Sequence, residues 1–236
     1  MAALSIGIAF GLDGLDGRIA RMTNTVSDFG REIDSLADVI TFGIAPSILA
    51  FVWGFQFIES WPSPGFQQAI MRTAYFISFM FLMCGAARLA RFNVQVNPVP
   101  KNPGKPDRKY FVGLPIPAAA GMVAAIVYAA YGTPIRSWPL GLAWLLLLMM
   151  LSFLMVSTWR YRSFKDLNML SPRSPFSIVI IAGIIYLTYA YSQIVLLALA
   201  ATYTCSGILV RIGGLLRRAT RGTKPPAQPA VERADA

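Results

Sequence analysis

The chain has 236 residues, 56% of them hydrophobic and only 14% charged, with a mean hydropathy of +0.55. That composition belongs to a membrane protein and excludes an ordinary soluble domain. A formal charge of +10 would suit nucleic acid, but a nucleic-acid module does not carry this much continuous apolar sequence. The absence of histidine removes imidazole bases and histidine-ligated zinc. Cys84 and Cys205 stand alone in apolar runs, with no CxxC spacing.

Apolar segments recur at lengths suited to a hydrocarbon core ~30 Å thick. They predict an all-α polytopic membrane protein of about seven spans, at 2–20, 35–57, 70–90, 112–131, 139–158, 175–190 and 193–213. The last two form one stretch that would reach ~57 Å as a single helix, so a break is expected near Tyr191–Gln193. WPSPG (61–65) and YGTPIRSWP (131–139) read as short turns, and NPVPKNPGKPDRK (97–109) as a flexible connection. This layout puts loops 18–34, 91–111 and 159–174 and the C-terminal tail on one side. With their immediate helix ends they hold 19 of the 21 Lys and Arg residues, leaving only Arg72 and Arg136 opposite. By the positive-inside rule the basic side is cytoplasmic, and the net charge is a topology signal. Residues 1–214 form the membrane-embedded domain and 215–236 a basic, disordered tail. An odd number of spans ending inside puts Met1 outside, with only a dozen residues ahead of Asp13. The expectation is that the chain starts one transmembrane helix late.

Residues 13–38, DGLDGRIARMTNTVSDFGREIDSLAD, set four carboxylates against apolar flanks. Asp13 and Asp16 are i,i+3, and Asp34 and Asp38 are i,i+4, so on helices each pair shares a face. Two unit charges ~4 Å apart repel by ~4 kcal/mol at an effective dielectric near 20. A four-carboxylate cluster therefore calls for divalent cations, and all-oxygen ligation favours Mg²⁺, Mn²⁺ or Ca²⁺. On a soluble helix such acids would read as a solvated surface. At the edge of apolar spans they are functional-site candidates. Gly14, Gly17, Ala20 and Gly30 between them leave room for a ligand or a second backbone.

The pattern D-x2-D-G-x2-A-R-x8-G-x3-D-x3-D is met by Asp13, Asp16, Gly17, Ala20, Arg21, Gly30, Asp34 and Asp38. It resembles the signature of the CDP-alcohol phosphatidyltransferases. Further stretches, DSLADVITFGIAPS (34–47), CGAARLARFN (84–93) and FVGLPIPAAA (111–120), resemble the integral-membrane branch of that family that uses serine. The resemblance implies a helical bundle, commonly a homodimer, with a cytoplasm-facing cavity. The implied reaction moves a phosphatidyl group from CDP-diacylglycerol to L-serine and releases CMP. Other acceptors, such as glycerol 3-phosphate or inositol phosphate, would keep the chemistry. A cation transporter would instead spread its acids at mid-depth over several spans, and a catalytically dead scaffold would not need all eight positions.

On that resemblance, Asp13, Asp16, Asp34 and Asp38 hold two Mg²⁺ or Mn²⁺ ions that clamp the pyrophosphate. Gly17, Ala20, Arg21 and Gly30 receive the CDP-lipid, although Ala20 taken alone reads equally as tight helix packing and Arg21 as a cytoplasmic anchor. Asp38 is the implied general base, taking the proton of the incoming hydroxyl so that serine attacks phosphorus directly. Arg88 and Arg91, at i,i+3, share a face suited to a carboxylate or phosphate. Alone they read as snorkelling anchors. Asn93 joins them as a candidate for serine or phosphate, with Arg160 and Lys165 weaker ones. Asp28 and Glu32 lie outside the signature and read as surface charges.

Overall fold

The computed structural model describes residues 1–23, 27–96, 110–162 and 190–220, with 183, 186 and 187 between the last two stretches. The connection 97–109, Lys165, most of the expected span 175–190 and the tail from 221 lie outside the described residues. The elements are α1 (Ala2–Met22), α2 (Asp28–Val39), a π-helical turn (Ile40–Ile44), α3 (Ala45–Phe55), α4 (Pro64–Val96), β1 (Tyr110–Val112), α5 (Ile116–Ala129), α6 (Trp138–Val156), β2 (Arg160–Arg162) and α7 (Ser192–Thr220). Among the described residues, four helical stretches are long and apolar enough to cross a membrane: Glu32–Phe55, Pro64–Val94, Trp138–Val156 and Ser192–Leu209. Ala2–Leu15 and Ile116–Ala129 are shorter apolar helices. The chain is thus an all-α polytopic membrane protein. The expected break falls at Tyr191, with α7 starting at Ser192 and continuing to Thr220, past the Leu215 boundary set for the tail.

The expected loop 18–34 is much shorter than the charge pattern indicated. Residues 15–22 contain no proline and only Gly17 as a helix-weakening residue, so α1 runs through its own acids and closes at Thr23. There the backbone N–H and the hydroxyl both donate to the Ile19 carbonyl at 2.9 Å. Ser27, in extended backbone, then starts α2 by accepting from the Gly30 N–H at 3.0 Å. α2 passes into α3 without a break through the π turn, where the Ala45 N–H reaches back five residues to the Ile40 carbonyl. Pro46 follows immediately. Its ring has no N–H and would crowd the Phe42 carbonyl in a regular α-helix, and the wider turn relieves this.

α5 lies at the centre, with Ile116, Ala119, Ala120, Val123 and Val127 buried. α1 and α7 pack against it on one side, while α3, α4 and α6 pack mainly on one another. A helix enclosed by others does not have to match the bilayer thickness, so 14 residues suffice. At the α3–α6 contact, Trp144 Nε1 donates to the Ala50 carbonyl at 2.9 Å, and its ring meets Trp53 edge-on at 4.9 Å. The indole lies over Gly54, where any side chain would collide with it.

The span expected over 112–131 begins differently from the prediction. Gly113 takes φ 78°, and Pro115 caps a helix that starts only at Ile116. The residues ahead pair instead with the chain leaving α6: Tyr110, Phe111 and Val112 lie antiparallel to Arg162, Tyr161 and Arg160. The Gly113 N–H donates to the Trp159 carbonyl at 2.8 Å and the Leu114 N–H to the Leu154 carbonyl at 3.0 Å. At the other end of the bundle, Ser60 bridges Ser137, and an exposed Arg136–Glu59 ion pair at 3.6 Å lies beside it. The loops thus meet in the two groups that charge counting assigned to opposite sides. Gly54→Ala is expected to cost about 1–3 kcal/mol by overpacking against Trp144, read as a fall in the thermal-unfolding midpoint in detergent. An unchanged midpoint would show that the α3–α6 contact has slack.

Candidate active site

On the uninterrupted helix α1, Asp13, Asp16, Gly17, Ala20 and Arg21 fall at i, i+3, i+4, i+7 and i+8. They make one stripe ~12 Å long. Asp13 is half-buried, and nothing is described of the side chains of Asp16, Ala20 and Arg21 or the surroundings of Gly17. On α2, Gly30, Asp34 and Asp38 fall at i, i+4 and i+8, with Asp34 exposed and Asp38 half-buried. The Gly30 N–H is spent on the Ser27 cap, and a Cβ there would sit 3.1 Å from Ser27 Oγ.

One contact sets the two halves of the signature against each other. Phe10 of α1 meets Phe42 of the π turn edge-on, 6.3 Å between centroids. Asp13 follows Phe10 by three residues and Asp38 precedes Phe42 by four, so both acids lie about one turn from this contact, toward the loop that joins α1 to α2. Among the described residues, no group of three or more acidic or cysteine side chains is close enough to hold a metal ion. The expected four-carboxylate cluster therefore is not assembled from Asp13, Asp34 and Asp38 alone. Its fourth member, Asp16, lies outside the described side chains. By donor chemistry the set remains one of oxygen ligands only, which fits a hard divalent cation.

The side chains of Arg88, Arg91 and Asn93 meet different neighbours. Arg88 is only 7% exposed, its guanidinium 5.6 Å from the Phe92 ring centre, and its Nε has no hydrogen-bond partner among the described residues. Tyr203 of α7 and Asp38 of α2 lie within its electrostatic reach. Arg91 is exposed and turns to α6, where Nη1 donates to the Val156 carbonyl at 3.2 Å, supplying a cation to that helix C-terminus. Asn93 Nδ2 donates to Ser35 Oγ at 2.8 Å, tying α4 to α2 beside Asp34 and one turn from Asp38. The i,i+3 spacing placed the two arginines near each other on the helix. The separate neighbours of α4, α2 on one flank and α6 on the other, pulled their heads apart.

Three contributors were not singled out from sequence. Ser27 carried a readable signal, a cap residue followed by Asp28 ahead of an amphipathic segment. Ser35 carried none beyond its place between two signature acids. Tyr203 lies far along the chain in an apolar helix, and only the packing of α7 brings it to Arg88.

A family model for CDP-alcohol phosphatidyltransferases matches residues 1–150, which takes in α1 to α5 and most of α6. The chain belongs to the CDP-alcohol phosphatidyltransferase family. Relatives named CDP-diacylglycerol–serine O-phosphatidyltransferase occur in Helicobacter pylori, 40% identical over 158 residues (66% of this chain, 58% of that one), in Saccharomyces cerevisiae, 44% identical over 123 residues (52% and 39%), and in Bacillus subtilis, 35% identical over 168 residues (70% and 76%). The match spans 58% of the length of the Helicobacter relative. In this member of the CDP-alcohol phosphatidyltransferases, Asn93 bears directly on the acid-bearing helix. Asn93→Ala is expected to cost about 1 kcal/mol of stability, the worth of one partly buried hydrogen bond, measured as a lowered unfolding midpoint. No shift would mean that α2 is held without the Ser35 contact.

Proposed function

We propose that this protein transfers the phosphatidyl group of CDP-diacylglycerol to L-serine, releasing CMP, from a site facing the cytoplasm and as a homodimer. The observation that carries the reading is the intact eight-residue signature on α1 and α2 within residues matched by the family. Relatives from a bacterium, a yeast and a second bacterium that carry the serine transferase name add support. The segments 34–47, 84–93 and 111–120 support serine over a phosphorylated acceptor.

Asp13, Asp16, Asp34 and Asp38 would hold Mg²⁺ or Mn²⁺. Such ions supply charge neutralisation at the pyrophosphate and at the departing CMP. The rest falls to the chain itself. Gly17, Ala20 and Gly30 leave space for the nucleotide, and Arg21 binds a phosphate oxygen. Asp38 takes the proton from the serine hydroxyl as its oxygen attacks phosphorus, and the bond to CMP breaks. Asp38 is half-buried and lies within electrostatic reach of the almost buried Arg88. Arg88, almost buried and with its Nε unpartnered among the described residues, is the arginine proposed to bind the serine carboxylate or the lipid phosphate, while exposed Arg91 is turned toward α6 through one of its donors. Arg91 and Asn93 then act by holding helices.

Membranes containing the chain, supplied with CDP-diacylglycerol, Mg²⁺ or Mn²⁺ and serine, are expected to release CMP. Release that ignores serine but responds to glycerol 3-phosphate would replace the acceptor. Asp38→Asn is expected to lower turnover by about 10²–10⁴-fold, the range for loss of a general base, while CDP-diacylglycerol binding is retained. Full turnover in that variant removes Asp38 as base. Arg88→Lys keeps the charge but loses the planar fork, and is expected to raise KM for serine with little change in KM for CDP-diacylglycerol. An equal rise in both would assign Arg88 to the phosphate instead.

A further inference from the structure

The helix that carries Asp34 and Asp38 is also a membrane span, and its two halves are packed by different rules. Among the described side chains of α2, Ser35, Asp38 and Val39 are half-buried. In α3 the buried residues run from Pro46 to Phe55. At ~100° per residue, an unbroken α-helix would centre these two faces roughly 100° apart. If one residue is dropped from the count between them, they agree to within about 20°. The outward side gives the same answer independently. Phe29, Ile33, Leu36 and Ile40 are all exposed and form one stripe along α2. Exposed Ile48 of α3 joins that stripe only when one residue is again left out of the count.

The π turn at Ile40–Ile44 is where that residue goes. Its bond from Ala45 to Ile40 encloses one residue more than an α turn, and Pro46 disfavours the α alternative from the C-terminal side. Buried Phe42 and Gly43 keep their places in the widened turn: Phe42 against Phe10, and Gly43 where a Cβ would come within 2.8 Å of Leu82 on α4. We propose that the π turn is a register device that absorbs one residue of the Glu32–Phe55 span, so that the Asp38 face points inward together with the packed face of α3. Closed to a regular α-helix at the same length, the segment would turn Asp38 toward the outer stripe or lift α3 off α4 and α6. The catalytic consequence rests on the reading of Asp38 as base, whereas the register itself does not.

The device predicts an asymmetry that a merely stabilising turn does not. Deletion of half-buried Thr41 lets the turn close to an α-helix with both faces still aligned. An alanine inserted between Thr41 and Phe42 exceeds what one π turn absorbs. CMP release with serine is expected to stay within about tenfold of the parent after the deletion, and to fall about 100-fold or more after the insertion, the scale of a misplaced reacting group. Combining deletion and insertion restores the count and is expected to restore turnover. Register is read separately from activity by Ser35→Cys with Asn93→Cys, whose parent side chains are hydrogen-bonded at 2.8 Å. With Cys84→Ala and Cys205→Ala in the background, a short bis-maleimide, which adds one cysteine thiol at each end, is expected to link positions 35 and 93 in the parent and in the deletion, and not in the insertion. A deletion that loses both linkage and turnover, or an insertion that keeps both, overturns the proposal. An unsubstituted chain that releases no CMP with serine defeats the functional reading and leaves the register comparison to stand on the linkage.

Discussion

A guanidinium held almost out of solvent inside an apolar bundle is costly, and the charge of Arg88 sets terms for the helices around it. Its carrier α4 must bring it to a carboxylate, a hydroxyl or an aromatic face. The Phe92 ring of its own helix lies against it, and Asp38 from α2 and Tyr203 from α7 lie within its electrostatic reach. Helices otherwise joined through apolar contacts in α5 thereby converge at one end of the bundle. Asp38 is fixed in turn by the Phe10–Phe42 contact above it and the Asn93–Ser35 bond beside it. Because lipid supplies little hydrophobic drive for helix association, such polar and close-packed contacts specify the arrangement more than apolar area does.

Much of this was legible in the sequence, because a bilayer simplifies the code. Apolar length located α3, α4, α6 and α7, and the grouping of basic residues anticipated which loops meet. The break at Tyr191 was readable from length alone. The signature spacing placed Asp13 with Asp16 and Asp34 with Asp38 on helix faces, as the continuous α1 and α2 bear out. The ends of elements were not legible. Charge marked 18–34 as loop, but charged residues are good helix formers once no proline intervenes, so α1 and α2 extend into it. The span at 112–131 was overdrawn because Tyr110–Leu114 is apolar enough for a membrane helix. Gly113 and Pro115 decide otherwise by backbone geometry that hydropathy does not register.

Within the site, the limits have a different origin. The spacing of Arg88 and Arg91 was correctly periodic, but periodicity gives a direction from one helix and says nothing of what lies there. Arg91 found the carbonyl end of α6, whereas Arg88 is buried over the Phe92 ring with Asp38 and Tyr203 in electrostatic reach. The π turn was equally invisible, since DVITFGIAPS reads as an even apolar run. Only burial in the assembled bundle reveals that its two halves are out of phase.

The small ladder between β1 and β2 also carries information about time. Val112 and Arg160 are neighbours in space, but the α5–α6 hairpin lies between them in sequence. Pairing them closes a loop that contains both helices, a cost in chain entropy that local contacts within α5 and α6 do not carry. Gly113, pressed against the carbonyls of Met155 and Ser157, makes the fit unforgiving to any side chain. The ladder thus works as a clasp across the bundle, tying the entry of α5 to the exit of α6 at two places distant in sequence.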